Sequence, residues 1–556
     1  MHNTHINYYY KLGSQLKSIG RFEDAKKCYV HILNTFPTDI DILFDMAFAC
    51  QNLGQNDDAI KWYNRLLEIE PNHAQTHINK GHIYRIHGFI QQACNHFMRA
   101  KSNLNNDGLD ILSHISLPVI YQSNDEIHFY RKRLKDYVTN HQVHLEDPLK
   151  QVGITQFFLA YHGLDDTDIQ KTIADFYERS CSSLKYVSPY LNQTKEQGKI
   201  TIGFATTFLF ESHPVGKVFQ CVIKYMNRQQ FRVILFHPSG ASTAQSKLHQ
   251  LFKQEIIHLP RDLSQCREII SKEKPDILFY PEIGMDPLIY FLAFSRLARV
   301  QCVGWGHPVT SGIKNIDYYI SSTDMEPDNG MMHYTEQLVL LKTFITCFKR
   351  PQIRKLSMKR SDFDLPEGHW YVCPQNIQKI HPDMDILLAK ILKKDLKGWI
   401  LLFEGKYPVF TQQLKNRLKK SIPEVSNRII FVEKMPIEQF LQFLHLCDAV
   451  LDVPFFSSGT TTIEAISMGI PIVTLSGKFL RNRLAYGCFK RINVLDTVAK
   501  NLDQYVLLAN QLACDMNFRN QVSKKIVSNN DVLFDNHEVV RAYEQFFIHI
   551  HKIRRK

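Results

Sequence analysis

The chain has 556 residues, 44% hydrophobic and 22% charged, with 67 Lys and Arg against 55 Asp and Glu for a formal net charge of +12. That length exceeds what one core can organise and predicts about three or four domains. No apolar run reaches the roughly 18 residues of a membrane span, and the first residues carry no signal-peptide core. The basic excess is dispersed, with clusters at 349–354, 415–420 and 551–556. No nucleic-acid-reading motif accompanies it, so a solvated surface that attracts anionic ligands is expected, not a nucleic-acid binder. The twelve cysteines contain no CxxC pair. They predict reduced thiols and a cytoplasmic setting, and neither a disulfide framework nor a zinc site; export without a cleaved signal stays open.

A 34-residue period governs residues 6 to about 107. Gly13, Ala47 and Gly81 share it, as do Gly20, Gly54 and Gly88, then Ala25, Ala59 and Ala93, then Tyr29, Tyr63 and Phe97. Small residues let two helices approach, aromatics fill between them, and Pro37 and Pro71 close two units. The pattern is similar to tetratricopeptide repeats, three of them over 1–107, which stack into a solenoid with a concave face. Residues 108–195 predict a helical, repeat-free linking domain. Within it 156–166 stands out as apolar and aromatic; its His162 is expected to be a packed or surface histidine.

From Lys199 the pattern changes to β/α alternation. Strands are predicted at 200–205, 232–236, 277–280, 300–304, 318–321 and 338–341, in a first lobe at 196–348. After a basic linker at 349–360, a second set is predicted at 370–373, 399–403, 428–432, 449–453 and 470–475, in a lobe at 349–556 that includes the last helices. Two successive α/β halves predict two sheets facing a cleft, with ligands beyond the strand C-termini. His213 follows the first strand. His307, Thr310 and Ser311 follow a later one and are expected to line the cleft. Lys379 follows the first strand of the second half, and Arg481 and Arg483 follow Gly477.

The segment 451–474 carries the most chemistry. It predicts strand, loop, helix and strand, with Gly459 and Thr460, Thr461 and Thr462 at the helix start, Glu464 in its first turn and Gly469 at its end. Free backbone amides and the positive helix end make an anion site there. Gly459 lets the backbone come close, the threonine hydroxyls add donors, and Glu464 can accept from a ribose hydroxyl.

Taken together, the repeats and the ordered motifs SHPVGK, DILFYPEIGMD, VQCVGWGHPVTSG, CPQNIQKIHP and GTTTIEAISMGIPIVT make the chain resemble the protein O-GlcNAc transferase and SPINDLY family, in its bacterial branch. The resemblance implies a GT-B fold behind the solenoid, a nucleotide-sugar donor (UDP-GlcNAc expected), no required metal or cofactor, and inversion at the anomeric carbon. It implies that Lys379 contacts the donor pyrophosphate, that Thr460 and Thr461 hold the phosphates, and that Glu464 takes the ribose. Gly459, Ile437 and Phe440 depart from the histidine, lysine and histidine that animal relatives carry, which leaves the base open.

The expected reaction moves a sugar to a protein Ser or Thr side chain, with the repeats engaging the polypeptide. The catalytic candidates are His213 and His307 as base and Lys379 at the leaving group. Lys379, Gly459, Thr460, Thr461, Thr462, Glu464 and Arg483 are the candidate donor-binding set. An Asn acceptor, a fucosyl donor, a silent repeat scaffold and a homo-oligomer stay open.

Overall fold

Glycines set the geometry of the first hundred residues. In the computed structural model three helical hairpins pair His2–Ser18 with Phe22–Thr35, Ile40–Asn52 with Asn56–Ile69, and Ala74–Ile86 with Ile90–Lys101. Gly20, Gly54 and Gly88 turn each hairpin at φ of 77°, 77° and 78°, a left-handed conformation that glycine enters without strain. A Cβ on Gly13 would fall 2.7 Å from the Tyr29 ring, and one on Gly81 would fall 2.5 Å from Phe97. The small-residue and aromatic positions of the repeat are therefore two halves of one contact. The helix Asp107–Ile115 joins them through Cys94, whose thiol donates to the Ser113 carbonyl. This body runs Met1–Val119, past the boundary expected at 107.

The structure describes every residue except 1, 192, 194–197, 211–212, 239–254, 353–355 and 556, and no side chains at 2–5, 554 and 555. Ser212 of the SHPVGK stretch, and 353–355 of the basic linker, thus lie outside the described residues.

The second body, Ile120–Lys556, holds two parallel sheets. The first contains β1 (Ile200–Ala205), β2 (Phe231–Pro238), β3 (Glu255–Leu259), β4 (Ile277–Tyr280), β5 (Val300–Val303), β6 (Tyr318–Ser322) and β7 (Gln337–Leu341), in the order β3-β2-β1-β4-β5-β6-β7. The second contains β8 (His369–Cys373), β9 (Gly398–Phe403), β10 (Ile429–Val432), β11 (Ala449–Leu451), β12 (Ile472–Leu475) and β13 (Val498–Ala499), in the order β10-β9-β8-β11-β12-β13. The order reverses between β1 and β4 and again between β8 and β11. Ligands of such sheets bind at those switch points, beyond the strand C-termini.

Two expectations need correction. The helix Glu538–Arg555, placed in the second lobe by sequence order, packs on the first: the Tyr543 and Phe547 rings lie 6.1 and 6.0 Å from Phe279 of β4. Its buried stripe of Val539, Val540, Tyr543, Phe547 and Ile550 recurs at helical spacing and demands an apolar sheet face. The cysteines are also not all thiols. Cys221 and Cys347 form a disulfide, 126 residues apart, with Cα atoms 5.7 Å from each other. It ties the helix Pro214–Tyr225 to the segment leaving β7, whose Thr346 hydroxyl also donates to the Val218 carbonyl. Only the packing of these distant segments brings the pair together.

Candidate functional site

Both switch points open on one pocket of about 280 Å³, lined from the first lobe by Pro214, Val215, Val218, Trp305, Gly306 and Pro308. The second lobe supplies Gln375, Asn376, Lys379, Leu484 and residues 456–461. A hollow of about 20 Å³ beside Ser188 and Arg299 is too small for more than water.

Lys379 ends a short 3-10 turn after β8. Its ammonium donates to Gln375 Oε1 at 3.0 Å and lies 4.5 Å from the Phe456 ring centre. Burial lowers its pKa to about 8, against the pull of Asp452 and Cys373 toward the charged form. On the same wall, Gly459 precedes the helix Thr460–Ser467, whose first-turn amides have no intrahelical partner. A cation and a positive helix end thus face one space, an arrangement suited to a diphosphate.

Asp452 holds that wall in shape. Buried beyond β11, it accepts from the Ser457 hydroxyl at 2.6 Å, the Ser458 amide at 2.8 Å and the Thr474 hydroxyl at 2.7 Å. Burial raises its carboxyl pKa, and these donors and Lys379 offset part of the rise. In the sequence Asp452 merely interrupts an apolar run at 449–453. A buried charge at a strand end, followed by two serines, is the signal that would have found it.

The structure sorts the remaining candidates. Thr460 and Thr461 line the pocket. Thr462 does not: it is buried, and its hydroxyl donates to the Ser458 carbonyl at 2.9 Å. Gly459 has φ of −93°, and an added Cβ would meet nothing closer than 3.7 Å. Neither backbone nor packing requires glycine there; the space beside it belongs to the pocket. Glu464 is engaged by the Lys217 ammonium, from the helix Pro214–Tyr225 of the opposite lobe. Burial raises the Glu464 pKa while Lys217 lowers it. Lys217 sits in the quoted motif but went unassigned, because its partner lies 247 positions away.

Arg483 is not a pocket residue. Its guanidinium donates to the Met325 carbonyl at 2.7 Å, the Ser476 hydroxyl at 2.6 Å and the Gly477 carbonyl at 3.1 Å, strapping the two lobes. Arg481 pairs with Asp166 at 3.3 Å. Thr310 and Ser311 face away from the cleft as well: both serve the buried carboxylate of Glu336, Thr310 Oγ1 at 2.5 Å and the Ser311 amide at 2.8 Å. Ile437 is half exposed, and Phe440 packs 5.6 Å from Phe403.

His213 caps the helix Pro214–Tyr225 just before the lining Pro214 and does not itself line the pocket; its Nδ1 accepts from the Val215 amide at 3.3 Å and its ring stacks 4.5 Å from Phe208. Burial lowers its pKa to about 4. His307 is buried with its ring between Phe157, 5.1 Å away, and Gly284. Its pKa falls to about 3, through burial and then the charge of Arg481. The near-neutral titration expected of an ordinary imidazole is absent from both. His307 does not line the pocket, although Gly306 and Pro308 on either side do.

The aromatic segment at 156–166 also finds its place. Its turn Phe157–His162 wedges between the lobes, with Phe157 on His307 and Tyr161 4.9 Å from Phe456. His162 is buried, 4.6 Å from the Tyr121 ring. Glu282, beyond β4, went unremarked in the sequence. It is fully buried with its pKa raised to about 8, accepting from the Thr206 hydroxyl and the Thr207 amide.

Two parallel α/β halves with facing switch points, joined to a helical repeat array, define a repeat-bearing GT-B architecture. Residues 346–543 match Glycosyl transferase family 41, and residues 19–77 match a tetratricopeptide repeat. Both matches support the resemblance to the O-GlcNAc transferase and SPINDLY family. The chain is 24% identical over 346 residues to a Petunia hybrida protein described as a probable UDP-N-acetylglucosamine–peptide N-acetylglucosaminyltransferase SPINDLY, a match covering 58% of this chain and 35% of the relative. It is 24% identical over 309 residues to the UDP-glucose:protein N-beta-glucosyltransferase of Actinobacillus pleuropneumoniae, covering 54% of this chain and 49% of that protein. The chain thus spans about a third to a half of the length of these curated relatives. A mutant of the Thermobaculum terrenum O-GlcNAc transferase superposes with a TM-score of 0.69 at 19% identity, over 99% of this chain and 98% of that one, which establishes a common fold.

Proposed function

We propose that the chain is a protein glycosyltransferase that moves a sugar, N-acetylglucosamine in the leading reading, from a uridine diphosphate donor to a Ser or Thr hydroxyl of a polypeptide. The observation that carries this is the pocket wall where Lys379 and the helix start at 459–461 meet. Glycosyl transfer breaks the bond from the anomeric carbon to a diphosphate, and negative charge grows on the leaving oxygen. A fixed ammonium and unpaired helix amides stabilise that charge in place, and one such donor is worth about 3 kcal/mol of barrier. No metal enters this step. The acceptor oxygen attacks from the opposite face, which inverts the anomeric carbon.

The acceptor must lose its proton. His213 is the candidate base: it caps the helix whose first residues, Pro214 and Val215, line the pocket, and it is neutral above pH about 4. It acts by accepting as the bond forms, since a base with so low a pKa abstracts no proton in advance. Glu464 meets the ribose only by exchanging its bond to Lys217 for one to the sugar. The tetratricopeptide repeats supply a polypeptide-binding surface of the kind such arrays present. Asn glucosylation is the second reading, favoured by the match to a protein N-glucosyltransferase.

Incubation of the full chain with a panel of nucleotide sugars and a peptide library, read by mass spectrometry, tests both. An N-acetylhexosamine on Ser or Thr upholds the leading reading, and a hexose on Asn selects the second. Absence of transfer from every donor, by protein that still binds nucleotide, overturns the activity.

A further inference from the structure

At the N-terminal edge of the second sheet, opposite the donor pocket, three metal-binding side chains of different chemistry converge from three chain segments. His369 begins β8, Asp395 follows the helix Pro382–Lys394, and Cys514 ends the helix Leu502–Cys514. His369 Nδ1 lies 2.7 Å from Asp395 Oδ2, and Cys514 Sγ lies 3.7 Å from each of them. A tetrahedral zinc with bonds of about 2.0–2.3 Å places its nitrogen, oxygen and sulfur ligands about 3.3–3.6 Å apart. Two of the three edges already match to within a few tenths of an ångström. The third opens by about 0.7 Å when the metal replaces the hydrogen bond between imidazole and carboxylate.

We propose that His369, Asp395 and Cys514 bind one thiophilic divalent cation of the zinc class. A neutral imidazole, a carboxylate and a thiolate suit zinc, whereas magnesium and calcium take oxygen ligands. The surroundings are built for it. The Tyr371 hydroxyl donates to the same Asp395 oxygen at 2.8 Å, and the Lys397 amide donates to the other at 3.0 Å. The Asn510 amide donates in turn to the Tyr371 oxygen at 2.9 Å. Such outer donors orient a ligating carboxylate. Cys514 is the one exposed free cysteine, so metal can enter there and water can hold the fourth position. A zinc-class cation takes the thiolate, so binding releases the thiol proton. The absence of a CxxC pair had predicted no zinc site; these ligands are 26 to 145 positions apart in the chain, beyond the reach of a spacing rule. β8, about 16 Å long at roughly 3.3 Å for each of five residues, runs from the cluster toward the pocket end of the sheet, so the cation tethers segments beneath the donor lobe and takes no part in transfer.

Cobalt titration of the chelator-stripped full chain tests the site, anaerobically and without thiol reductant so that the Cys221–Cys347 bond stays closed. We expect one Co²⁺ per chain to give a thiolate-to-cobalt charge-transfer absorption, displaced by one equivalent of Zn²⁺. Cys514→Ser removes the absorption, and Tyr371→Phe keeps it while weakening affinity about 10–100-fold. Should Cys514→Ser lose its native circular dichroism, His369→Gln is read in its place, with loss of stoichiometric binding expected. An absorption that persists in Cys514→Ser, or a wild-type chain that retains no more Co²⁺ than the folded variant after gel filtration, overturns the proposal.

Discussion

The two sheets are built alike, but their C-terminal edges use polar groups in opposite ways. On the first lobe the groups answer one another: Thr310 and Ser311 serve Glu336, and Thr206 and Thr207 serve Glu282. On the second lobe Asp452 consumes Ser457, Ser458 and Thr474, and what remains faces the pocket: Lys379, Thr460, Thr461 and the helix start. Polar residues at a strand end therefore mark a candidate site only where part of their bonding capacity still faces open space. The first lobe supplies mainly shape, through Val215, Val218 and Trp305, together with Lys217, which reaches across to Glu464.

The sharpest way to break this contrast is Lys379→Met. Turnover should fall about 10²–10³-fold, the loss expected for one donor at a developing anion. The thermal unfolding midpoint should move by less than about 3 °C, because methionine keeps the apolar stem and only the hydrogen bond to Gln375 is lost. Next comes the pH profile. The Lys379 pKa of about 8 leaves the residue cationic below that pH and neutral above it. kcat/KM should thus fall on the alkaline side of about pH 8, tenfold per unit, and Lys379→Arg should remove that limb because guanidinium stays charged.

A pair of substitutions of smaller effect sharpens the comparison. Thr310→Val removes a donor to the buried Glu336 and should cost about 1–3 kcal/mol in urea unfolding, with turnover unchanged. Lys217→Met removes the partner that the ribose must displace from Glu464, and its signature should be a lowered donor KM that Glu464→Gln in the same chain abolishes. The smallest effect belongs to Gly459→Ala. With φ of −93° and open space around it, the added methyl should stabilise the fold by no more than about 1 kcal/mol, and any change in donor affinity then reports contact with the ligand itself.

Much of this was legible in the chain. β1 and β4 fall at the expected positions, because strands buried on both faces read as continuous apolar runs. β3, with polar Glu255 and His258 among five residues, and β13, only Val498 and Ala499, carry too little pattern to stand out. Lys379, Thr460 and Thr461 were legible because spacing alone puts them at strand ends and at a helix start. The inward turn of Thr462, the sealed ring of His307 and the strap made by Arg483 were not. Side-chain direction beyond a strand end depends on partners such as Ser458, Phe157 and Met325, which no local spacing names. The disulfide of Cys221 with Cys347 and the bond of Lys217 to Glu464 were hidden for the same reason, being set by how separate segments pack.

Calorimetric titration of the full chain with UDP and GDP, each against its own nucleoside, measures the diphosphate wall directly. If Lys379 and the helix at Thr460 bind the diphosphate, at least one nucleoside diphosphate binds ten or more times tighter than its nucleoside, about 1.4 kcal/mol or more, and Lys379→Met erases the difference. Equal affinities for diphosphate and nucleoside, or a preference that survives Lys379→Met intact, would contradict it.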